Sequence, residues 1–288
     1  MKRVKIPTYV KWAGGKKQLI SQFEKFFPEK VDRYLEPFVG GGAVAFYMLK
    51  TRRPKETIIS DINKELMTGY KVIRDKLDEL MGKLKEHKEN HCKEYYYKIR
   101  KQDRKEEVDL SDVEQTARFI YLNKTCFNGL YRVNSKGQFN VPIGSYKNPA
   151  ILMKNDLKEI SRLLNNVKVK QQSFEKVLDD AKEGDFVYLD PPYYPLNKDS
   201  FTSYQQKQFL DEEHKKLAEV FKKLDEKGCR VMLSNSDTEF VKNLYEDFNI
   251  NVVRARRSIN CNGDDRGKIN ELVITNYPVK IDKQKKII

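Results

Sequence analysis

Asp185-Phe186-Val187-Tyr188-Leu189-Asp190-Pro191-Pro192-Tyr193 carries the strongest fold signal in the chain. An apolar, aromatic run that follows a Gly184-Asp185 turn and stops at a carboxylate and two prolines predicts a buried strand ending in a stiff loop. Each proline fixes φ, lacks an N–H donor and drives the residue before it out of the α region, so Asp190 and Tyr193 stand at the strand's carboxyl end. In an open α/β sheet, ligands bind at that end. Asp190 offers one acceptor, the Pro191 carbonyl a second, and Tyr193 a flat face. Together they suit a planar heterocycle bearing an exocyclic NH₂. Alone, Asp-Pro-Pro-Tyr also reads as a plain strand-ending turn, so the rest of the chain must decide.

Upstream, Tyr9-Val10-Lys11-Trp12-Ala13-Gly14-Gly15-Lys16-Lys17 holds the only tryptophan and two glycines, and predicts a helix over Gln18 to Phe27 that stops at Pro28. Trp12 reads either as a core anchor or as a surface for an adenosine, with Lys16 near a carboxylate. Tyr34 to Val39 then runs through Gly40-Gly41-Gly42 into helical Ala43 to Leu49, the strand, glycine turn and helix of a nucleotide-binding βα unit. A second strand, Thr57 to Ser60, ends at Asp61, 21 residues beyond Gly40, where such folds grip a ribose hydroxyl. The glycines lack G-x-G-x-x-G spacing and no P-loop lysine follows, which favours a nucleoside without a pyrophosphate over NAD or ATP.

From Asp75 to Ile160 the character changes. Helical, Lys- and Glu-rich Leu77 to Gln102 leads to an apolar helix, Val113 to Cys126, capped at Ser111-Asp112. Phe127 to Tyr146 alternates aromatic, basic and amide side chains in short β-like pieces, with Ser135-Lys136-Gly137 a hairpin turn. It reads as an ordinary polar hairpin or as a groove-reading loop, in which Arg132 bonds a guanine edge and Phe127 wedges into a base stack. The α/β pattern then resumes with strands at Val167 to Lys170, Cys229 to Asn235, Ile250 to Ala255 and Ile269 to Thr275, and a helix within Thr202 to Lys227. A basic loop, Arg254 to Lys268, suits phosphates.

The chain has 288 residues, enough for a full core, and 39% hydrophobic against 34% charged residues marks it as globular. Fifty-six basic and forty-two acidic residues leave +14, a balance that points to a polyanion, nucleic acid before membrane. No apolar run approaches the ~18 residues of a membrane span and no signal-peptide core follows Met1, so a cytoplasmic, nucleoid-associated place is expected. Cys92, Cys126, Cys229 and Cys261 form no Cys-x-x-Cys, which argues against zinc and disulfides; His87 and His91 beside Cys92 read as a solvated helix face. No metal is expected.

With these pieces placed, the chain resembles the Dam-type DNA adenine methyltransferases of the α order, which carry a Gly-rich cofactor motif, a recognition insert and then Asp-Pro-Pro-Tyr. The resemblance runs from Val10 to Tyr277 and rests on Lys-Trp-Ala-Gly-Gly-Lys at 11–16, Glu-Pro-Phe-Val-Gly-Gly-Gly at 36–42, Asn-Gly-Leu-Tyr-Arg at 128–132, Phe-Asn-Val-Pro at 139–142, Asp-Pro-Pro-Tyr at 190–193 and Arg-Arg-Ser-Ile at 256–259. It implies an α/β, Rossmann-like S-adenosylmethionine-dependent domain over 1–74 and 161–288. Residues 75–160 would be an inserted, mainly helical target-recognition domain with a β-hairpin. It also implies that Trp12, Lys16, Phe38, Gly40, Asp61, Phe174 and Asp190 contact S-adenosyl-L-methionine, released as S-adenosyl-L-homocysteine, and that Asp190, Pro191, Pro192 and Tyr193 hold a flipped adenine. Lys11, Phe127, Asn128, Leu130, Arg132, Pro142 and Tyr146 would contact double-stranded DNA at GATC. Where some relatives carry Tyr, Phe127 keeps the wedge and lacks the hydroxyl. A restriction endonuclease acting on the same site, without binding this chain, is the expected companion. A stand-alone regulatory or repair-linked methylase, a cytosine-N4 or RNA methyltransferase, and a non-catalytic DNA-binding protein stand as alternatives.

Overall fold

The structure, a computed structural model, describes residues 4–104, 109–196, 209–256 and 268–279. The basic loop from Arg257 to Gly267, Cys261, the start of the helix expected from Thr202 and the Lys280 to Lys286 tail lie outside them. A seven-stranded mixed sheet is built from β1 (Arg33–Glu36), β2 (Glu56–Asp61), β3 (Val167–Gln171), β4 (Phe186–Leu189), β5 (Arg230–Ser236), β6 (Asn249–Arg256) and β7 (Lys268–Thr275). Its order is β3-β2-β1-β4-β5-β7-β6, with β2, β1, β4 and β5 parallel and β7 antiparallel to both β5 and β6. The ten α-helices of the described residues are α1 (Ile20–Phe23), α2 (Ala43–Thr51), α3 (Lys64–Asp75), α4 (Leu77–Glu89), α5 (Lys93–Arg100), α6 (Asp112–Thr125), α7 (Lys154–Leu164), α8 (Val177–Asp180), α9 (Asp211–Glu226) and α10 (Glu239–Leu244). This is a Rossmann-like α/β fold.

The chain divides into two compact units. One, the helical unit, comprises Met1–Gly15, Val39–Lys50 and Asp61–Gln171; the other, the sheet unit, comprises Lys16–Phe38, Thr51–Ser60 and Gln172–Ile288. In the sheet unit β4 is fully buried because alternate side chains serve opposite faces. Phe186 and Tyr188 meet Phe27 and Tyr34 or Phe23, whereas Val187 and Leu189 join the core that Leu217, Phe221 and Leu224 of α9 complete. β1 lies beside β4 with Tyr34 opposite Phe186 and Leu35 opposite Val187, which brings the carboxyl ends of the two strands side by side. Strand order reverses here, the crevice where open α/β sheets bind ligands.

In the helical unit α6 is buried along nearly its whole length and begins with a capping box, Ser111 and Glu114 each bonding the other's backbone N–H. Buried Arg118 reaches Asp103 at 2.7 Å, and Asp103 accepts the Phe139 N–H, also at 2.7 Å, so an ion pair inside the helices fixes the segment that follows them.

Several expectations change. The helix expected over Gln18 to Phe27 breaks into a 3₁₀ turn, the four-residue α1 and a second 3₁₀ turn, although Leu19, Ile20, Phe23, Phe26 and Phe27 are all buried and share one helical stripe. The Lys- and Glu-rich helix divides into α4 and α5 at Asn90-His91-Cys92, where the Cys92 Sγ caps α5 by accepting the Tyr95 N–H. His87 is not solvated: it is buried, stacked on Tyr121 and bonded through Nδ1 to the Tyr95 hydroxyl, while His91 Nδ1 meets the Tyr121 hydroxyl. The β-like pieces after Phe127 reduce to two isolated bridges, Cys126 with Ile143 and Val133 with Phe139, closed by a turn in which Gly137 N–H donates to the Asn134 carbonyl.

Candidate active site and nucleic-acid face

At the end of β4 the Asp190 carboxylate takes two partners on one oxygen. The Lys16 ammonium, itself only 5% exposed, and the Ser234 hydroxyl each reach Oδ1 at 2.8 Å. Since the single Ser234 proton goes to Asp190, the Tyr188 hydroxyl, 2.8 Å from Ser234 Oγ, donates to it and completes a buried relay from Tyr188 to Asp190. Burial raises the Asp190 carboxyl above its ordinary range, opposed by the Lys16 charge and by the hydrogen bonds from Lys16 and Ser234. Among the described residues no donor reaches Oδ2. Pro191 is buried and Pro192 exposed. Beyond them Tyr193 donates its hydroxyl to Glu271 at 2.8 Å, and the Lys16 ammonium lies 4.5 Å from its ring centre. The Tyr194 N–H is held by Asn235 Oδ1 at 3.1 Å, so the end of β5 grips the loop on the far side of Tyr193. In the same unit Phe38 stacks on Phe174, centroids 5.3 Å apart, with Phe209 edge-on to Phe38.

The helical unit carries its own cluster. Gly40 takes φ +47°, and a Cβ there would lie 2.8 Å from the Trp12 ring, so glycine is required by both conformation and space. Asp61 Oδ2 accepts the Gly40 N–H at 3.0 Å and Oδ1 the Asn63 N–H at 2.9 Å, while the Tyr70 hydroxyl donates to the Gly40 carbonyl. The carboxylate thus shapes the glycine turn. Burial raises the Asp61 carboxyl, and the backbone donors work against that. The neighbouring Ile62 is 75% exposed, a large apolar side chain left uncovered beside the turn.

Also in the helical unit, residues far apart in sequence converge on one loop face. The Lys11 ammonium sits 3.1 Å from the Tyr146 hydroxyl and 4.4 Å from the centre of that ring. The Lys11 stem lies against Gly129, where a Cβ would come within 2.3 Å of it. Phe127 is 50% exposed and its N–H donates to the Pro142 carbonyl; Asn128 is exposed with φ +54°. Leu130 is half-buried, and Arg132 Nε donates to Asn140 Oδ1 at 2.7 Å. One buried side chain organises this face: Asn123 accepts the Lys11 N–H at 2.7 Å and donates to the Lys11 and Gly129 carbonyls. Trp12 packs on Tyr131 of the same loop, centroids 5.3 Å apart. Among the described residues no group of His, Cys, Asp and Glu could hold a metal ion, and no helix is long and apolar enough to cross a membrane.

Sequence reading missed Ser234, Asn235, Glu271 and Asn123. Ser234 and Asn235 carried a usable signal, two polar residues at the carboxyl end of an apolar strand; Glu271 and Asn123 carried none, since each finds its partner only in the fold.

A family model for the D12 class of N6 adenine-specific DNA methyltransferases matches residues 12–259, a span that takes in Trp12, the glycine turn, Asp61, the loop from Phe127 to Tyr146 and Asp190-Pro191-Pro192-Tyr193. The chain belongs to this class. It is 48% identical over 289 residues to the type II methyltransferase M.MjaIII of Methanocaldococcus jannaschii, covering 95% of this chain and 100% of that protein. With the type II methyltransferase M1.LlaDCHI of Lactococcus lactis subsp. cremoris it shares 44% identity over 96% of this chain and 97% of the relative. With the DNA adenine methylase of Escherichia coli K12 it shares 34% over 96% and 98%. This adenine-specific DNA methyltransferase therefore matches relatives over nearly their full lengths, and its Asp190 loop sets a carboxylate bonded on Oδ1 beside the Tyr193 ring.

Proposed function

We propose that the protein transfers a methyl group from S-adenosyl-L-methionine to N6 of an adenine turned out of double-stranded DNA, within GATC, as the modification enzyme of a restriction-modification system. The observation that carries the chemistry is the one-sided saturation of Asp190 by Lys16 and Ser234. An N6 lone pair is delocalised into the purine ring and is a poor nucleophile. Asp190 Oδ2 and the Pro191 carbonyl accept the two amino hydrogens, which favours a more tetrahedral nitrogen, and the fixed geometry avoids reorganisation as charge develops. The Tyr193 ring offsets part of the cost of extruding the base, about 1–3 kcal/mol per stacked base. When bound, S-adenosyl-L-methionine would supply the methyl group as a sulfonium, the N6–C bond forming as the S–C bond breaks; S-adenosyl-L-homocysteine would leave, and the proton then lost from N6 would pass to Asp190 Oδ2 and solvent.

The residues fit that donor. Trp12, Gly40 and Asp61 form a turn closed by backbone donors next to the uncovered Ile62, suited to a nucleoside, and Phe38 and Phe174 offer a stacked aromatic surface. Phe127, Asn128, Leu130, Arg132, Pro142 and Tyr146 take DNA roles within a recognition domain of residues 75–160, inserted in a catalytic domain of 1–74 and 161–288 that contributes Lys11 to the same task. Arg132 reads a guanine edge, and exposed Phe127 enters the base stack. No metal takes part in this scheme. The restriction-modification role is supported by the relatives at 48% and 44% identity, both named type II methyltransferases. The Escherichia coli relative is named a DNA adenine methylase without the type II designation, and a stand-alone methylase is the second reading.

Plasmid DNA incubated with the protein and donor, then challenged with one nuclease that cuts GATC only when methylated and another that cuts it only when unmethylated, tests target and base together. Protection against the second and sensitivity to the first is expected. Asp190→Ala should lower turnover about 10²–10⁴-fold with specific DNA binding retained; turnover at the parent rate would remove Asp190 from the chemistry. Assaying cells that make the protein for a nuclease that cleaves only unmethylated copies of the same site separates the two biological roles.

A further inference from the structure

The Tyr193 ring is fixed by groups remote from it in sequence. Its hydroxyl donates to Glu271 Oε2 at 2.8 Å, and Glu271 is carried on β7 opposite Ser236 of β5, so the acceptor rides on the paired sheet. Burial drives the Tyr193 phenol well above its ordinary value, which keeps it a donor. The Glu271 carboxyl, raised by burial, is drawn back down by the Lys16 charge and by the hydrogen bond from Tyr193. The hydroxyl is therefore committed to the protein. The Lys16 ammonium lies 4.5 Å from the ring centre, over one face of the ring.

We infer that Glu271 is a positioning residue for methyl transfer: through the Tyr193 O–H···O bond it fixes the plane of the Tyr193 ring, so that the face opposite Lys16 is presented to the extruded base. The inference rests on the stacking role proposed for Tyr193. A hydrogen bond to a charged acceptor is about twice as strong as a neutral one and restrains the ring in direction as well as distance. Without it the ring keeps rotamer freedom that base binding would have to remove.

The test is a double-mutant cycle on kcat, using tritiated S-adenosyl-L-methionine and plasmid DNA at saturation, with S-adenosyl-L-homocysteine affinity measured by calorimetry. Glu271→Ala and Tyr193→Phe should each lower kcat about tenfold, the worth of one charge-assisted bond. The double variant should fall no more than about twofold below the weaker single. Glu271→Gln, which keeps an acceptor oxygen, should stay within about threefold of the parent. S-Adenosyl-L-homocysteine affinity should remain within about twofold in all of them, since the bond acts on the base and not on the donor. Multiplicative losses in the double variant, a Glu271→Gln as poor as Glu271→Ala, or donor affinity falling in step with kcat would each overturn the inference. If Glu271→Ala does not fold, the near-isosteric Tyr193→Phe and Glu271→Gln carry the same comparison. Tyr193→Ala at the parent rate would remove the stacking role, and the inference with it. A costly Tyr193→Ala beside multiplicative Glu271 and Tyr193→Phe effects would remove only the anchor.

Discussion

Ser234 shows how much one hydroxyl can set. It delivers a proton to Asp190 Oδ1 and accepts one from Tyr188, so the carboxylate is solvated by the protein where water is thin. Burial raises the Asp190 carboxyl, and the Ser234 bond is among the forces that lower it. In the role proposed for Asp190 turnover needs the ionised form, so the acid limb of the kcat profile should report this group and lie above the ordinary aspartate range. Ser234→Ala removes a lowering influence and should move that limb to higher pH. A limb that stays put or moves to lower pH would show that another group governs it. Asn123 acts at the same scale: its amide closes three hydrogen bonds inside the protein, and Asn123→Ala should cost about 2–4 kcal/mol of stability, read by urea unfolding. Asp190 and Tyr193 were legible in the sequence because the prolines that stiffen them are adjacent. Glu271 and Asn123 were not, because their partners lie 78 and 112 residues away.

Among elements, those set by local chemistry read true and those set by packing did not. The capping box at Ser111 and the apolar run of β4 announce themselves, and the strands at β1, β2, β3, β5, β6 and β7 fall within a few residues of their expected places. The segment from Lys16 to Phe27 misled because its buried Leu19, Ile20, Phe23, Phe26 and Phe27 keep helical spacing while the backbone forms two 3₁₀ turns around the four-residue α1. The loop after Phe127 misled differently: its bridges are single, and its shape comes from Asn128, Gly129 and Gly137 at positive φ and from the Asp103 carboxylate on the Phe139 N–H. Gly129 is the sharpest case. An alanine there meets a left-handed backbone and the Lys11 stem together, so Gly129→Ala should cost about 1–2 kcal/mol and shift Lys11 from Tyr146. Plasmid DNA affinity should weaken more than thermal stability does; an unchanged affinity would show that the Lys11 and Tyr146 pair does not meet DNA.

Over the whole molecule, net charge and architecture were legible, but the placement of the histidines was not. His87 in the helical unit and His214 in the sheet unit are both buried, and burial holds each imidazole down at about 4. His87 has the Tyr95 hydroxyl, whereas His214 sits edge-on to Tyr194 and Phe209 with neither ring nitrogen hydrogen-bonded among the described residues. A group whose folded value is depressed contributes stability that is present above its unfolded value of 6.5 and lost as pH falls toward 4. The protein should therefore lose melting temperature progressively between pH 6.5 and 4. Asp61, Glu65, Asp190 and Glu271 oppose this, since burial raises each and protonation on the way down favours the folded state. The two effects separate in one variant. His214→Phe replaces an unsatisfied imidazole with a ring of similar shape, so it should gain about 1 kcal/mol at pH 7.5. It should also remove about half of the histidine-dependent decline in melting temperature between pH 6.5 and 4.5, leaving the carboxylate contributions untouched. A variant whose melting curve follows the parent across that window would show that His214 is hydrogen-bonded and carries no pH dependence of its own.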